Sequence, residues 1–279
     1  MPKINKNDYE LYFEEHGSGI PILFLEGLGY SLWMWKYQLS DVKKWARAIL
    51  VDNRGVGKSS PLSAPYSVTS FAEDALNIMD HLNIEKFYVL GVSMGGFIAQ
   101  ELARISPERV KGLILVSTSC GGPKSYSMTK EVFDEMMKTV DNETQKEKLK
   151  RTMKLAFTNS YPDLNKEIFE DIINERILTL QDQKQLLFQS LSLLNFDSCT
   201  SNSELNMPSI IIAGTEDKVL PWLNSILLYK SLKNSSLILF KGQNHLLFIE
   251  KYKEFNDLIK NFVLSVEEGS FKEYIMEVK

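Results

Sequence analysis

Three residues of the chain have the side chains needed for nucleophilic catalysis: Ser93, His245 and Asp217. Ser93 lies in GVSMGG, between an apolar run and a segment whose apolar residues recur at helical spacing. A serine at a sharp strand-to-helix turn projects its hydroxyl beyond the sheet, and flanking glycines leave room for that turn. The sequence therefore predicts a nucleophile at Ser93. The alternative is a glycine-lined helix start that Ser93 merely caps.

A serine hydroxyl needs a neighbouring base that removes its proton. The chain has three histidines, of which His16 lies in a predicted turn and His81 ends a helical segment. His245, in QNHLLFIE, is predicted on a loop between a β-rich run and the last helix. Catalytic groups gather on such loops at the carboxyl edge of a parallel sheet. His245 is therefore the predicted base, and the rate should fall in acid as the imidazole is protonated.

The base must in turn be oriented by an acid. Asp217 follows the apolar run IIIAG in the segment GTEDKVLP, and Glu216 beside it is the alternative. A different interpretation is that Asp217 only orders its own turn.

The elements that must position these residues fall into two kinds. In residues 10–119 and 207–264, short β-rich runs alternate with amphipathic helices, a pattern typical of a mainly parallel sheet covered on both faces. Residues 120–205 contain no such runs, and their apolar residues recur at helical spacing. We expect these helices to pack on the sheet as added core, to roof an apolar pocket, or both. The sets that carry this expectation are Phe133, Met136, Met137 and Val140; Leu149, Met153 and Phe157; and Phe169, Ile172, Ile173 and Ile177.

Five segments carry a resemblance to a known family: LEGLGYSLWMW, DNRGVGKSS, GVSMGG, GTEDKVLP and QNHLLFIE. Their order and spacing resemble those of the α/β-hydrolase fold, and most closely its small bacterial carboxylesterases, enol-lactonases and cofactor-free haloperoxidases. The resemblance implies an α/β fold with a mostly parallel central sheet, helices on both faces and a helical cap after the sixth strand. We expect residues 1–119 and 206–279 to form the core and residues 120–205 the cap, or lid.

The resemblance also implies an oxyanion hole, formed by the backbone N–H groups of Leu28 and Met94. Gly27 and Gly29 would let the first of these loops approach closely. Glu26 is a departure, because many relatives have histidine at this position. We expect the hole to survive this change, with an altered rigidity of the loop and an altered charge beside the pocket.

The substrate pocket is predicted around Trp33, Met34, Cys120 and Leu246, which favours an uncharged, mainly apolar substrate. The alternative for each of these residues is a place in the core. Cys120 and Cys199 are far apart in sequence and are expected to be free thiols. No Cys/His cluster has metal-ligand spacing, so we expect no metal and no cofactor.

The segment DNRGVGKSS offers a rival interpretation as a phosphate-binding loop. Only one residue separates Gly55 from Gly57, so the spacing of a P-loop is missing. We predict instead a glycine-rich turn in which Asp52 and Arg54 fix loops by hydrogen bonds.

Composition limits the partners. The formal net charge is −4, and no basic segment or long apolar run is present. We therefore expect no nucleic acid and no membrane, a small-molecule ester or lactone as substrate, a cytoplasmic location, and a monomer or homodimer.

Together these features predict a serine hydrolase that cleaves carboxylic esters of small, mainly apolar substrates through an acyl-enzyme on Ser93. One alternative is hydrolysis of lactones or of carbon–carbon bonds, which relatives carry out with the same three residue types. Perhydrolysis as a side activity is another. A hydrolase-like ligand receptor with slow turnover is the alternative from another functional class.

Overall fold

A sheet of nine strands runs through the computed structural model, which describes residues 2–6 and 9–278. Within these residues the spatial order is β1-β2-β4-β3-β5-β6-β7-β8-β9. The strands are β1 (Lys3–Lys6), β2 (Tyr9–Gly17), β3 (Ile20–Leu25), β4 (Ala46–Val51), β5 (Phe87–Val92), β6 (Val110–Val116), β7 (Ser209–Gly214), β8 (Ser235–Phe240) and β9 (Ile275–Val278).

Strand β2 pairs antiparallel with β1 on one side and with β4 on the other, and the remaining six strand pairs are parallel. The central strands β5 and β7 are buried along their whole length, as expected for strands with helices on both sides. The crossover and flanking helices are α1 (Lys36–Val42), α2 (Val68–His81), α3 (Met94–Ile105), α9 (Leu223–Ser231), α10 (Leu247–Glu250) and α11 (Tyr252–Glu267).

Between β6 and β7 the chain forms five further helices. They are α4 (Lys130–Met137), α5 (Gln145–Lys154), α6 (Tyr161–Leu164), α7 (Lys166–Leu178) and α8 (Gln183–Leu193). The predicted class, a mostly parallel sheet covered by helices with a helical insertion after the sixth strand, is confirmed. All five helices fall inside the expected cap, residues 120–205, which we call the cap segment.

Two apolar clusters lie on opposite faces of the sheet, because successive side chains of a strand point to opposite sides. In β3, Leu23 and Leu25 join one cluster, while Ile22 and Phe24 join the other. The second cluster also receives the cap residues Met153, Phe157, Phe169, Ile172 and Ile173. These cap faces therefore pack as added core, as expected.

The apolar face of α4 does not follow this expectation. Phe133 is 53% exposed and Met137 is 68% exposed, and Met136 and Val140 are exposed as well. The prediction was wrong for this set because helical periodicity shows that a face is apolar, but not that a partner covers it.

The C-terminal residues add the last strand of the sheet. Ile275–Val278 form β9, which pairs in parallel with β8 at the edge of the sheet. Four residues are too few for periodicity to reveal a strand, and the open edge of β8 supplies the hydrogen-bonding partner.

Cys120 and Cys199 form a disulfide, so the expectation of free thiols was wrong. The two residues are 79 positions apart, and each lies near one end of the cap segment. The bridge between Gly121 and Asp197 brings the same two chain segments together. A long sequence separation therefore concealed a short distance in space.

No helix of the described residues is long and apolar enough to cross a bilayer.

Candidate active site

Ser93 occupies the turn between β5 and α3 with φ 54° and ψ −117°, a backbone conformation that residues other than glycine rarely adopt. The turn is tight enough that a Cβ added to Gly91 would lie 2.2 Å from the carbonyl oxygen of Gly95. A Cβ on Gly95 would lie 2.1 Å from the carbonyl oxygen of Leu25. The glycines around Ser93 are therefore required by close backbone approaches, as the sequence predicted.

The strained turn is held by hydrogen bonds to the end of the neighbouring strand β6. The Ser93 N–H donates to the carbonyl of Val116 at 3.0 Å. Thr118 Oγ1 donates to the Ser93 carbonyl at 2.8 Å.

Asp217 and His245 are in direct contact, with Asp217 Oδ2 2.8 Å from His245 Nδ1. Both side chains are buried. The second carboxylate oxygen of Asp217 accepts the N–H groups of Val219 and Leu220 at 2.9 and 2.8 Å, which fixes the acid on its own loop. The alternative acid, Glu216, is exposed, and of these two neighbouring acids it is Asp217 that contacts the imidazole.

The loop that carries His245 is attached to the strand end beside Ser93. Ser117 Oγ donates to the His245 carbonyl at 3.0 Å, and Ser117 follows Val116, the partner of the Ser93 N–H. Asn244 Oδ1 accepts the His245 N–H at 2.8 Å, while Asn244 Nδ2 donates to the carbonyl of Phe157 in the cap segment. Sequence reasoning missed Ser117 and Asn244 as supports of the site.

The turn of Ser93 and the loop of His245 are thus both attached to the end of β6. None of the hydrogen bonds among the described residues joins Ser93 Oγ to His245. Such bonds are often long in the absence of substrate and tighten only when substrate is bound.

The segment after β3, residues 26–32, which we call the β3 loop, lies against Ser93. A Cβ on Gly27 would lie 3.4 Å from Ser93 Cβ and 4.0 Å from Ser93 Oγ. Met94 begins α3, where backbone N–H groups have no partner within the helix. The two segments that carry the predicted oxyanion donors, Leu28 and Met94, therefore flank the serine.

Asp52 fixes the far end of the β3 loop. Its Oδ1 accepts Ser31 Oγ–H at 2.6 Å and the Leu32 N–H at 2.9 Å, and its Oδ2 accepts the Lys58 N–H at 2.9 Å. Arg54 forms a buried ion pair with Asp74. The prediction that Asp52 and Arg54 fix loops by hydrogen bonds is confirmed.

Glu26, the first residue of the β3 loop, is completely buried. Its Oε1 accepts the Asn53 N–H at 2.9 Å, and its Oε2 has no hydrogen-bond partner. Burial, together with the nearby negative charge of Asp52, raises the pKa of the Glu26 carboxyl well above its usual range. Burial also raises the pKa of Asp52, against the effect of its three hydrogen bonds.

Arg176 of α7 lies against the β3 loop from the cap side. Its Cζ is 4.4 Å from the centre of the Tyr30 ring, and a Cβ on Gly29 would lie 2.8 Å from its Nη2. Arg176 is only 8% exposed, its Nη1 has no hydrogen-bond partner, and no carboxylate among the described residues pairs with it. Burial therefore lowers the pKa of this guanidinium.

Glutamines of the cap segment contact the same loops. The Gly29 N–H donates to Gln189 Oε1 at 3.0 Å, and Gln189 Nε2 is left without a partner. Sequence reasoning missed both Arg176 and Gln189. The available signal for Arg176 was its position among Ile172, Ile173 and Ile177, where a charge interrupts the apolar face of a helix.

The four predicted pocket residues differ in their burial and in the part of the structure that they contact. Trp33 is partly buried and donates its Nε1–H to Thr179 Oγ1 of the cap segment at 2.8 Å. Met34 and Leu246 are buried in the second apolar cluster, and Cys120 is buried in the first, within the disulfide. Their role in binding substrate stays a prediction.

Comparisons with known proteins agree with this architecture. A family model described as "alpha/beta hydrolase fold" matches residues 20–252. The chain is 25% identical over 272 residues to RutD of Azorhizobium caulinodans, provisionally named a carbamate hydrolase, covering 96% of this chain and all of the relative. It is 26% identical over 270 residues to a 2-hydroxy-6-oxononadienedioate/2-hydroxy-6-oxononatrienedioate hydrolase of Cupriavidus pinatubonensis, covering 94% and 93%.

Among solved structures, the enol-lactonase of Burkholderia xenovorans LB400 superposes with a TM-score of 0.81 at 21% identity. The match covers 94% of this chain and all of the enol-lactonase. At this identity the likeness shows a common fold.

Proposed function

Since the chain belongs to the alpha/beta hydrolase fold family, we propose that it is a serine hydrolase that cleaves carboxylic esters through an acyl-enzyme on Ser93. The observation that carries the proposal is the strained turn of Ser93, set beside Gly27 and beside the loop of the Asp217–His245 pair. The hydrolases among its relatives support the reaction class.

In the proposed mechanism, His245 Nε2 takes the proton of Ser93 Oγ as the oxygen attacks the ester carbonyl. Asp217 accepts the Nδ1–H of His245 and stabilises the imidazolium that forms. The N–H groups of Leu28 and Met94 donate to the oxyanion. The imidazolium returns its proton to the leaving alcohol, and water activated by His245 then releases the acid from Ser93.

The test is steady-state hydrolysis of p-nitrophenyl esters from acetate to laurate by the wild type and Ser93→Ala. Multiple turnovers that the substitution abolishes are expected, together with a rate that falls in acid. The matched control is Ser40→Ala, which alters an exposed serine whose hydroxyl bonds only its own helix. A wild type that turns over no faster than Ser93→Ala would refute the proposal and favour a ligand receptor.

A second candidate is a hydrolase, of esters, lactones or carbon–carbon bonds, whose substrate carries a carboxylate. The favouring observation is Arg176, a buried guanidinium without a carboxylate partner beside the β3 loop. A buried unpaired charge is costly, and an anionic ligand would offset that cost. The Cupriavidus relative is named for a substrate with two carboxylates. This candidate differs from the expected uncharged substrate in the charge of the group that is bound.

Two substrates of equal length separate the candidates: p-nitrophenyl butyrate and the p-nitrophenyl half-ester of succinate. If Arg176 binds a carboxylate, Arg176→Gln should raise the KM for the half-ester at least tenfold and change that for the butyrate little. Arg104→Gln, at an arginine half exposed on α3, is the control. Equal effects of Arg176→Gln on both esters would leave the neutral ester as the substrate class.

For partners we propose a monomer or homodimer that acts on a small molecule, and for location a compartment less reducing than the expected cytoplasm. The net charge of −4 supports the absence of nucleic acid. The disulfide argues against a reducing compartment, because cytoplasmic thiols are generally kept reduced. Fractionation of cells, with trapping of free thiols before lysis, tests the location and the oxidation state together.

A further inference from the structure

Glu26 is the buried group of the site that the proposed mechanism does not use. It immediately precedes Gly27, whose backbone lies against Ser93, and its own carbonyl oxygen would be 2.8 Å from a Cβ on Gly95. Its carboxyl group reaches the loop after β4 through the Asn53 N–H. Glu26 therefore joins three segments: the β3 loop, the turn of Ser93 and the loop of Asp52.

The surroundings of this carboxyl group disfavour a negative charge. One oxygen accepts a single backbone N–H, and the other has no partner. Asp52 is the titratable group that faces it, and Lys58 is the cation whose charge acts on Asp52. The Lys58 side chain is 54% exposed, and this residue reaches Asp52 through its backbone N–H.

The two acids hold opposite ends of one loop. Asp52 accepts three hydrogen bonds, which suit an ionised carboxylate, and two of them come from Ser31 and Leu32 of the β3 loop. Glu26 accepts one. If both were charged, two buried carboxylates would repel each other across the segment that carries the predicted oxyanion donor Leu28.

We propose that Glu26 positions the β3 loop as a neutral carboxylic acid, and that loss of its proton to solvent at alkaline pH releases the loop and lowers the activity of the site. The effect on activity depends on the proposed function; the protonation state and the loop movement do not. Glu26 is thus a positioning residue that sets an upper pH limit.

The protonation state is tested by the pH dependence of stability in the wild type and in Glu26→Gln, which keeps the acceptor for Asn53 and cannot ionise. A carboxyl group with a raised pKa in the fold contributes stability that is complete below its unfolded pKa and is lost as the pH rises to its folded pKa. Relative to Glu26→Gln, the unfolding constant of the wild type should rise by up to tenfold per pH unit in that window, or about 1.4 kcal/mol. Parallel curves would overturn the proposal.

The loop is tested by hydrogen exchange of peptides that cover residues 26–35, comparing the two proteins at equal pH so that intrinsic exchange rates cancel. Equal rates are expected at pH 6, with exchange in the wild type at least threefold faster at pH 9. Equal rates at both pH values would overturn the release of the loop.

The consequence for activity is tested by the pH profile of kcat. We expect the wild type to lose at least fivefold between pH 7 and 9.5, whereas Glu26→Gln stays within twofold. If turnover depends on Ser93 and both proteins lose activity equally, the role of Glu26 is refuted. If no turnover depends on Ser93, the proposed function fails. The pH dependence of stability and the hydrogen exchange of the β3 loop then still test whether Glu26 positions that loop as a neutral acid.

Two further variants complete the design. Glu101→Gln alters another buried glutamate, on α3, whose carboxylate is paired with Arg104, and it should keep the pH profile of the wild type. Glu26→His introduces a side chain that cannot become negative. If Glu26→Gln fails to fold, Glu26→His should show the same loss of the alkaline transition, and a retained transition would refute the proposal.

Discussion

At the residue scale, the contact between Asp217 and His245 leads to a prediction for Asp217→Asn. The variant keeps the Oδ1 acceptor for Val219 and Leu220, so the loop should hold its shape. An amide in place of Oδ2 favours the wrong tautomer of His245, and the expected loss of kcat is about 10⁴-fold. Ester hydrolysis with a thermal unfolding control measures both effects. Glu216→Gln, at the exposed neighbour, should stay within twofold of the wild type, and equal losses in the two variants would contradict the assignment.

At the element scale, helix α8 is attached to the core by the side-chain amide of Gln185. Its Oε1 accepts the Leu62 N–H at 2.6 Å, and its Nε2 donates to the Leu62 carbonyl at 3.0 Å. Gln185→Ala leaves both buried backbone groups without partners, so the free energy of unfolding should fall by about 2 kcal/mol. Urea unfolding measures this change. Lys184→Ala, one residue earlier and exposed, should change it by less than about 0.5 kcal/mol, and a Gln185 effect no larger than that would argue against the attachment.

The same scale shows how far a sequence predicts elements. The strands β3, β5 and β7 could be predicted because a strand buried on both faces needs an unbroken apolar run, which is visible locally. The exposure of the apolar face of α4 could not be predicted, because its apolar residues have the same periodicity as those of a buried helix face. Arg176 was missed for a related reason: its partner Tyr30 is distant in sequence, and only the folded chain shows that the guanidinium lies without a counter-ion beside the β3 loop.

At the scale of the whole molecule, residue motifs predicted which strand ends meet. Ser93, Asp217 and His245 each follow a strand of one parallel sheet, and the carboxyl ends of such strands share an edge. The Glu26–Asp52 pair and the disulfide were beyond prediction, because both depend on how loops far apart in sequence pack together. Neither has a local pattern.

The disulfide gives the prediction that belongs to the molecule as a whole. By linking positions 79 residues apart, it closes a loop around all five helices of the cap segment, and a loop of this length restricts the unfolded chain by about 4.5 kcal/mol. Reduction with dithiothreitol should therefore lower the urea midpoint of the wild type, and Cys199→Ser should have the lower midpoint with or without reductant. Ser201→Ala, close to Cys199 with a hydroxyl bonded only within its own turn, is the matched control. If thiol titration of the native protein finds both cysteines free and reductant leaves the midpoint unchanged, the cap segment is held on the core by its packing and its hydrogen bonds, without the disulfide.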